Sequence, residues 1–306
     1  MENIITIDGL TKNYKNGHGI FDINIKVRKG EVFGYLGPNG AGKSTTIRHI
    51  LGFIKPQKGK TTIDGLDAWK DSEKINARLG YIPGEIAMPE FMSGTEFIRY
   101  IFNLRKLTDW DVVEDMIKFW EFDPNVKIKK MSKGMKQKVG LIVAFMHNPD
   151  FLLLDEPTSG LDPLMQEKFV KLIQKSRDEG KTIIMSSHIF QEIEKTCDRV
   201  AVIKNGRIVS QIDMAEITYS KEKVFDVQFE DKKDYEASRK LKFKVLETSD
   251  KWNSVKYSLH TDEINEFIQA LSKYKLKFIK EIPFTLEEYF MKFYGQDDVV
   301  ESEGNK

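Results

Sequence analysis

The chain has 306 residues, of which 40% are hydrophobic and 11% aromatic, so it is long enough for two domains with packed cores. Charged residues make up 31% of the chain, yet its net charge is only +1, which argues against a protein that mainly neutralises nucleic acid. The single cysteine, Cys197, excludes an intramolecular disulfide and is consistent with a reducing compartment. The apolar runs are too short to cross a bilayer, and the N-terminus lacks a signal-peptide pattern, so no membrane-spanning segment is expected.

The first two thirds of the chain alternate between strand and helix patterns. Ile5, Ile7 and residues 20–27 alternate like strands, and a glycine-rich loop precedes a helix that begins at Lys43. Further predicted elements are a mainly helical region at about 93–149, a buried strand at 151–155, a helix between Asp162-Pro163 and Gly180, the strand TIIMSSH and the hairpin RVAVIKNGRIVS. Strands that alternate with helices predict an α/β core with a mainly parallel sheet.

The composition changes after about residue 217. Three segments there alternate with period two, and residues 262–273 place apolar side chains on one helical face. Together with the strand KLKFIKEI, they predict the order β-α-β-β-α-β, which is that of a split βαβ, ferredoxin-like unit. The polar tail after Gln296 is expected to be disordered.

The segment GPNGAGKST has the spacing of a phosphate-binding loop. Its glycines let backbone N–H groups turn inward around phosphate oxygens, Lys43 supplies a cation to the β- and γ-phosphates, and the Ser44 hydroxyl can ligate Mg²⁺. The predicted nucleotide-binding residues of this loop are Gly37, Pro38, Asn39, Gly40, Ala41, Gly42, Lys43, Ser44 and Thr45.

Two later strands end in polar residues that suit ATP hydrolysis. Asp155 ends the apolar strand FLLLD and can hold Mg²⁺ directly or through water, while the adjacent Glu156 can polarise an attacking water. His188 follows the strand TIIMSS, where an imidazole could contact the γ-phosphate. Each feature is common when it occurs alone, but the phosphate-binding loop makes the combination specific.

With these landmarks in order, the chain resembles the ATP-binding subunit of an ATP-binding cassette (ABC) transporter over roughly residues 2–217. The resemblance implies an α/β P-loop NTPase cassette with a RecA-like core, followed by a small C-terminal α+β domain. It places Tyr14 on the adenine, makes His188 the switch histidine, and assigns residues 159–162, SGLD, to the loop that crosses to the opposite subunit. The implied divisions are a cassette at 1–217 with its helical subdomain at about 85–149, an accessory domain at 218–295 and a tail at 296–306.

The octet MSKGMKQK, residues 131–138, resembles the family's signature sequence LSGGQ, with Ser132 and Gly134 retained. A lysine-rich octet is usually a solvated helix face, and that interpretation is kept for Lys136 and Lys138. The resemblance implies a helix N-terminus that contacts the γ-phosphate of ATP bound to the other subunit, where the helix dipole favours an anion. The differences from LSGGQ resemble those of bacterial subunits for drug, bacitracin and antimicrobial-peptide export.

The segment YIPGEIAMPE, residues 81–90, departs from the family pattern. Gly84 stands where the family usually has a glutamine that meets Mg²⁺ and the attacking water. Glu85 either replaces this glutamine as a metal-site residue or is a solvated loop acid. Ile86, Met88 and Phe91 are expected to be exposed, where the family docks a helix of the membrane subunit.

These features predict the ATPase of an ABC exporter whose cargo is a drug or peptide, with ATP and Mg²⁺ as cofactors. One chain has one phosphate-binding loop and one signature, so a second copy of itself is expected to complete each site. Separate transmembrane permease subunits would hold the chain at the cytoplasmic face of the membrane. The alternative is a soluble ABC ATPase whose C-terminal domain is regulatory or binds nucleic acid through Lys240, Lys242 and Lys244. No stable nucleic-acid complex is expected, because acidic residues are dense near these lysines.

Overall fold

The computed structural model describes residues 2–14, 17–219 and 221–291, so the predicted tail at 296–306 lies outside the described residues. The chain divides into two compact units between Asp213 and Met214, four residues before the boundary expected from composition. The strands of the first unit are β1 (Asn3–Asn13), β2 (Gly19–Arg28), β3 (Val32–Leu36), β4 (Lys58–Ile63), β5 (Leu66–Asp67), β6 (Leu79–Ile82), β7 (Phe151–Asp155), β8 (Thr182–Ser187), β9 (Arg199–Lys204) and β10 (Arg207–Asp213). Its helices are α1 (Lys43–Ile50), α2 (Ser72–Ala77), α3 (Gly94–Leu104), α4 (Asp111–Trp120), α5 (Lys133–Phe145), α6 (Pro163–Asp178) and α7 (Phe190–Thr196).

The central sheet of the first unit has six strands in the order β10-β9-β3-β8-β7-β6. All neighbouring strands are parallel except β10, which returns antiparallel beside β9 as the predicted hairpin, through a turn at Asn205-Gly206. Both turn residues have positive φ angles, 49° and 72°, which fits the turn chemistry that their sequence predicts. Every residue of β3, β7 and β8 is buried, as expected for parallel strands covered on both faces.

A second sheet, which the sequence did not predict as a separate layer, is antiparallel and has the order β2-β1-β4-β5. One hydrophobic core joins the two sheets and α1, with Ile25, Tyr35 and Ile47 among its members. The phosphate-binding loop therefore lies between a strand and a helix that are both fixed by this core.

The residues that the sequence links to ATP follow three adjacent strands of the central sheet. The loop at 37–42 follows β3, Glu156 follows β7 and His188 follows β8. Since β3, β8 and β7 are neighbours and parallel, their carboxyl ends meet at one edge of the sheet. This edge is where ligands bind in open α/β sheets.

The second unit contains α8 (Met214–Thr218), β11 (Glu222–Phe229), α9 (Lys232–Ser238), β12 (Lys244–Ser249), β13 (Ser254–His260), α10 (Ile264–Leu271), β14 (Leu276–Ile282) and α11 (Leu286–Met291). From β11 to β14 the order is β-α-β-β-α-β, and the sheet has the antiparallel order β12-β13-β11-β14. This unit has its own core, in which Phe267 of α10 is fully buried. Within the described residues, no helix combines the length and the apolar character needed to span a bilayer.

Candidate active site

The phosphate-binding loop needs glycine at several positions. Gly40 and Gly42 have φ angles of 79° and 114°, in the left-handed region that glycine adopts without strain. A Cβ at Gly37 would lie 2.5 Å from the carbonyl oxygen of Ile203, and one at Gly42 would lie 2.7 Å from Cγ2 of Ile20. The loop is thus held close to neighbouring backbone, and α1 begins at Lys43 as the sequence predicts.

Lys43 is buried and faces the acidic residues after β7. Its Nζ donates hydrogen bonds to the carbonyl oxygens of Gly37, at 2.7 Å, and Pro38, at 3.1 Å. The same Nζ lies 3.7 Å from Oε1 of Glu156. Burial lowers the pKa of Lys43, and this effect exceeds the opposing attraction of Glu156 and Asp155. The ammonium lies at the base of the loop, where the sequence predicts that phosphate oxygens bind.

The buried Asp155 is oriented by the neighbouring strand. Ser186 of β8 donates its hydroxyl to Oδ1 of Asp155 at 2.5 Å. The other oxygen, Oδ2, faces Gly84, because a Cβ at position 84 would lie 3.2 Å from it. Asp155 therefore keeps one carboxylate oxygen directed away from Ser186.

Glu156 lies between a lysine and a histidine. Its φ angle of 48° is in the left-handed region, and its N–H donates to both the carbonyl and the hydroxyl oxygen of Ser186, at 3.2 and 3.1 Å. Its Oε1 faces Lys43, and its Oε2 lies 3.6 Å from Nδ1 of His188. The structure thus brings together Lys43, Glu156 and His188, which are far apart in the sequence.

The donor chemistry at this edge fits Mg²⁺ bound together with nucleotide phosphates. Ser44 supplies a hydroxyl in the first turn of α1, and Asp155 supplies a carboxylate at the end of β7. Among the residues that the structure describes, no group of three or more His, Cys, Asp or Glu side chains could hold a metal ion alone. Mg²⁺ is commonly held by one or two protein groups plus substrate phosphates, so this donor set suits it.

The octet at 131–138 does begin a helix. Ser132 is the N-cap of α5, and its Oγ accepts a hydrogen bond from the N–H of Met135 at 3.2 Å. Gly134 packs on the loop that contains SGLD, since a Cβ there would lie 2.5 Å from the carbonyl oxygen of Gly160. The interpretation of Lys136 and Lys138 as a solvated face was wrong: both are half-buried, and burial lowers the pKa of Lys138.

The segment after β6 differs in part from its expectation. Glu85 is exposed and lines a pocket of about 280 Å³ with Lys133 and Lys136. Phe91 is 75% exposed, as predicted. The expectation that Ile86 and Met88 are also exposed was wrong, because both are half-buried: a Cβ at Gly140 of α5 would lie 2.8 Å from Cδ1 of Ile86 and 3.9 Å from Cε of Met88.

Two predicted contact residues lie on the surface. Tyr14 is 39% exposed, and Nζ of Lys12 lies 5.8 Å from the centre of its ring. This ring is open to a stacking partner, and its contact with adenine stays a prediction. The side chain of His188 is 56% exposed, so its ring is accessible from solvent.

The structure gives little support to a basic stripe in the second unit. Lys244 begins β12, but Lys240 and Lys242 precede the strand, and Lys242 forms an ion pair with Glu266 at 2.5 Å. The rings of Phe243 and Tyr257 pack on Phe267, with centroids 5.0 and 5.3 Å apart, inside the core. Sheets that bind RNA instead present aromatic rings to the bases.

Sequence reasoning missed several residues behind the site. Glu192 of α7 is buried and accepts hydrogen bonds from Ser187 and Thr158. Gln137 of α5, only 2% exposed, donates to the carbonyl oxygen of Pro157 at 2.6 Å. The only sequence signal for this group was the polar end of the buried strand TIIMSSH.

Comparison with known proteins identifies a family that the chain resembles over most of its length. A sequence model described as ABC transporter matches residues 20–159. The chain is 30% identical over 301 residues to an uncharacterized ABC transporter ATP-binding protein, YhcH, of Bacillus subtilis, with 97% of each chain covered. It is 35% identical over 235 residues to the bacitracin transport ATP-binding protein BcrA of Bacillus licheniformis, with 76% of each covered. A solved structure of an ATP-binding subunit of an ABC transporter superposes with a TM-score of 0.64 at 29% identity, covering 70% of this chain and 91% of the other.

Proposed function

Because this chain belongs to the ABC transporter family and is its ATP-binding, ATP-hydrolysing subunit, we propose that it powers export of a drug or peptide through separate membrane subunits. The export of such a cargo is supported by the similarity to BcrA, which is named for bacitracin transport. The observation that carries the catalytic part is the position of the Glu156 carboxylate between Lys43 and His188.

In this proposal Glu156 is the general base of ATP hydrolysis. Its carboxylate takes the proton of the attacking water, while Lys43 and the backbone of the phosphate-binding loop hold the phosphates. His188 contacts the γ-phosphate through its exposed ring. Ser44 and Asp155 would hold Mg²⁺, whose charge offsets that of the phosphate oxygens. Tyr14 stacks on the adenine.

A second copy of the chain is proposed to complete each ATP site. Among the hydrogen bonds of the described residues, none joins Ser132 to the loop at 37–45. Ser132 and Lys133 at the N-terminus of α5 are exposed, and the positive end of the helix dipole there suits a γ-phosphate. Two chains that pair head to tail would each supply this helix end to the other's nucleotide.

The surface that docks on the membrane subunits is proposed to include Phe91 and the outer face of α3. Phe91 is 75% exposed, and Tyr100 and Leu104 are 50% and 60% exposed. Exposed apolar side chains that lie near one another commonly mark an interface. This contact would keep the chain at the cytoplasmic face of the membrane.

Substitution of Glu156 by glutamine tests the catalytic assignment. The amide keeps the shape of the side chain but cannot accept a proton, so turnover should fall by at least about 100-fold while ATP binding is retained. ATP and Mg²⁺ should then trap a dimer that size-exclusion chromatography resolves from the monomer. Undiminished turnover in Glu156→Gln would refute the assignment.

The export function needs a separate experiment. The chain is expressed together with the membrane protein encoded beside its gene, and cells are challenged with bacitracin or related peptides. The proposal predicts a gain of resistance that Glu156→Gln abolishes. Equal sensitivity with and without the pair would contradict export of this class of compound.

A further inference from the structure

Two short segments carry the proposed catalytic groups of one chain, and a buried carboxyl lies behind both. Glu156 begins the segment 156–158 after β7, and His188 lies within the segment 187–189 after β8. Glu192 of α7 is buried, with only 6% of its surface exposed. Its position behind the site has no role in the catalytic scheme above.

One oxygen of Glu192 joins the two segments. Ser187 donates its hydroxyl to Oε2 of Glu192 at 2.6 Å, and Thr158 donates its hydroxyl to the same oxygen at 3.2 Å. Both donors are buried, with 2% and 3% of their surface exposed. Buried hydroxyls that share a single acceptor fix the separation of the backbones that carry them.

The same contacts define the conformation around His188. Because the Ser187 hydroxyl donates to Glu192, its oxygen is free to accept the N–H of Ile189, at 2.9 Å. This local bond closes a turn with His188 at its centre. The orientation of the histidine toward Glu156 therefore depends on a hydroxyl that Glu192 orients.

The segment after Glu156 is held from its other side as well. Gln137 of α5 donates to the carbonyl oxygen of Pro157 at 2.6 Å, one residue before Thr158. The side chain of Thr158 then has Glu192 as its acceptor. Loss of the Glu192 bond would release the side chain of Thr158, while the bonds from Gln137 to Pro157 and from Glu156 to Ser186 would remain.

We propose that Glu192 is a positioning residue for ATP hydrolysis, which holds Thr158 and Ser187 so that Glu156 and His188 keep their relative placement. This role rests on the catalytic assignment of Glu156 and His188 proposed above. Glu192 acts through the two hydroxyls and leaves the phosphate-binding loop unchanged. It therefore contributes to turnover and not to nucleotide affinity.

The test compares Glu192→Ala, Glu192→Gln and the control Gln191→Ala, an exposed position of the same helix. Glu192→Ala removes the shared acceptor, so kcat should fall at least about tenfold while the Kd for ATP of the isolated chain stays within about twofold. Glu192→Gln keeps a carbonyl oxygen that can accept both hydroxyls, so its kcat should lie within about threefold of the wild type. Gln191→Ala should match the wild type.

A second set of variants identifies the path of the effect. The double variant Thr158→Val/Ser187→Ala lacks both donors, so its kcat should fall about as far as that of Glu192→Ala. Adding Glu192→Ala to this double variant should change kcat further by less than about twofold. Full additivity would overturn the proposal. A wild-type kcat in Glu192→Ala would also overturn it. If Glu192→Ala instead loses ATP binding and Glu192→Gln does not restore it, Glu192 stabilises the fold alone and the proposal is again wrong.

Glu156→Gln separates this proposal from the catalytic assignment on which it rests. If Glu156→Gln is inactive but Glu192→Ala turns over normally, only the positioning role fails. If Glu156→Gln keeps its turnover, the assignment of the general base fails, whatever the result at Glu192.

Discussion

Replacement of Glu192 by glutamine should have a more favourable effect on the free energy of unfolding at alkaline pH than at acidic pH. Burial raises the pKa of Glu192 from about 4.5 to about 7, although hydrogen bonds from Ser187 and Thr158 oppose the shift and Glu156 adds to it. Because the folded chain holds this proton more tightly than the unfolded chain, the stabilisation is complete below about pH 4.5 and is lost as the pH rises through about 7.

The size of the effect follows from the two pKa values. Each unit of difference corresponds to about 1.4 kcal/mol, and integration between pH 5 and pH 8 gives a loss of about 2–3 kcal/mol in the free energy of unfolding. Glutamine has no proton to lose at these pH values. The change in the free energy of unfolding caused by Glu192→Gln should therefore become more favourable by about 2–3 kcal/mol from pH 5 to pH 8.

Denaturant unfolding of the wild type and of Glu192→Gln at both pH values measures this difference. Glu73→Gln, at an exposed position of α2, is the matched control for exchanging a carboxyl for an amide. An effect of Glu192→Gln that is equal at the two pH values would refute the reasoning. It would mean that the carboxyl of Glu192 is ionised in the folded chain throughout this range.

Three other substitutions test separate parts of the structure. Glu85→Ala should keep Mg²⁺-dependent turnover within about twofold of the wild type, because the Glu85 side chain is exposed. A tenfold loss in a steady-state ATPase assay would instead show that Glu85 replaces the missing glutamine. Ser132→Arg should retain ATP affinity but lose turnover. Mixing this variant with Lys43→Ala should restore activity, because the mixed dimer has one intact site. If activity does not recover, or if Ser132→Arg no longer binds ATP, Ser132 does not act across the dimer. Gly80→Ala should lower the free energy of unfolding by about 1–3 kcal/mol, because its Cβ would lie 2.1 Å from the carbonyl oxygen of Ala144; unchanged denaturation would refute this close contact.

The parts of the fold that could be predicted depend on neighbours in the sequence. The loop before α1 is defined by glycines a few residues apart, and the turn at Asn205-Gly206 by two adjacent residues. The strand β7 is predictable because its sequence, FLLLD, is a continuous apolar run that ends in one aspartate. Local spacing was enough in each case to place the element and its polar end.

The parts that could not be predicted depend on contacts between distant segments. Glu192 and Gln137 have charged or polar neighbours in the sequence, a pattern typical of exposed helix faces. Both are nevertheless buried, and they form hydrogen bonds with Thr158 and Pro157 from another part of the chain. The burial of Ile86 likewise arises from the absence of a side chain at Gly140, more than fifty residues away. No periodicity within either segment carries this information.

The contact between Gly134 and Gly160 limits how this sequence can diverge. A Cβ at position 134 would meet the Gly160 backbone at 2.5 Å, and one at position 160, where φ is 81°, would meet Cγ of Lys133 at 2.9 Å. A side chain at position 134 would require the loop at Gly160 to move, and one at position 160 would require the side chain of Lys133 to move. Natural variation at these two positions should therefore be rare and correlated, with a change at one accompanied by a rearrangement or deletion around the other.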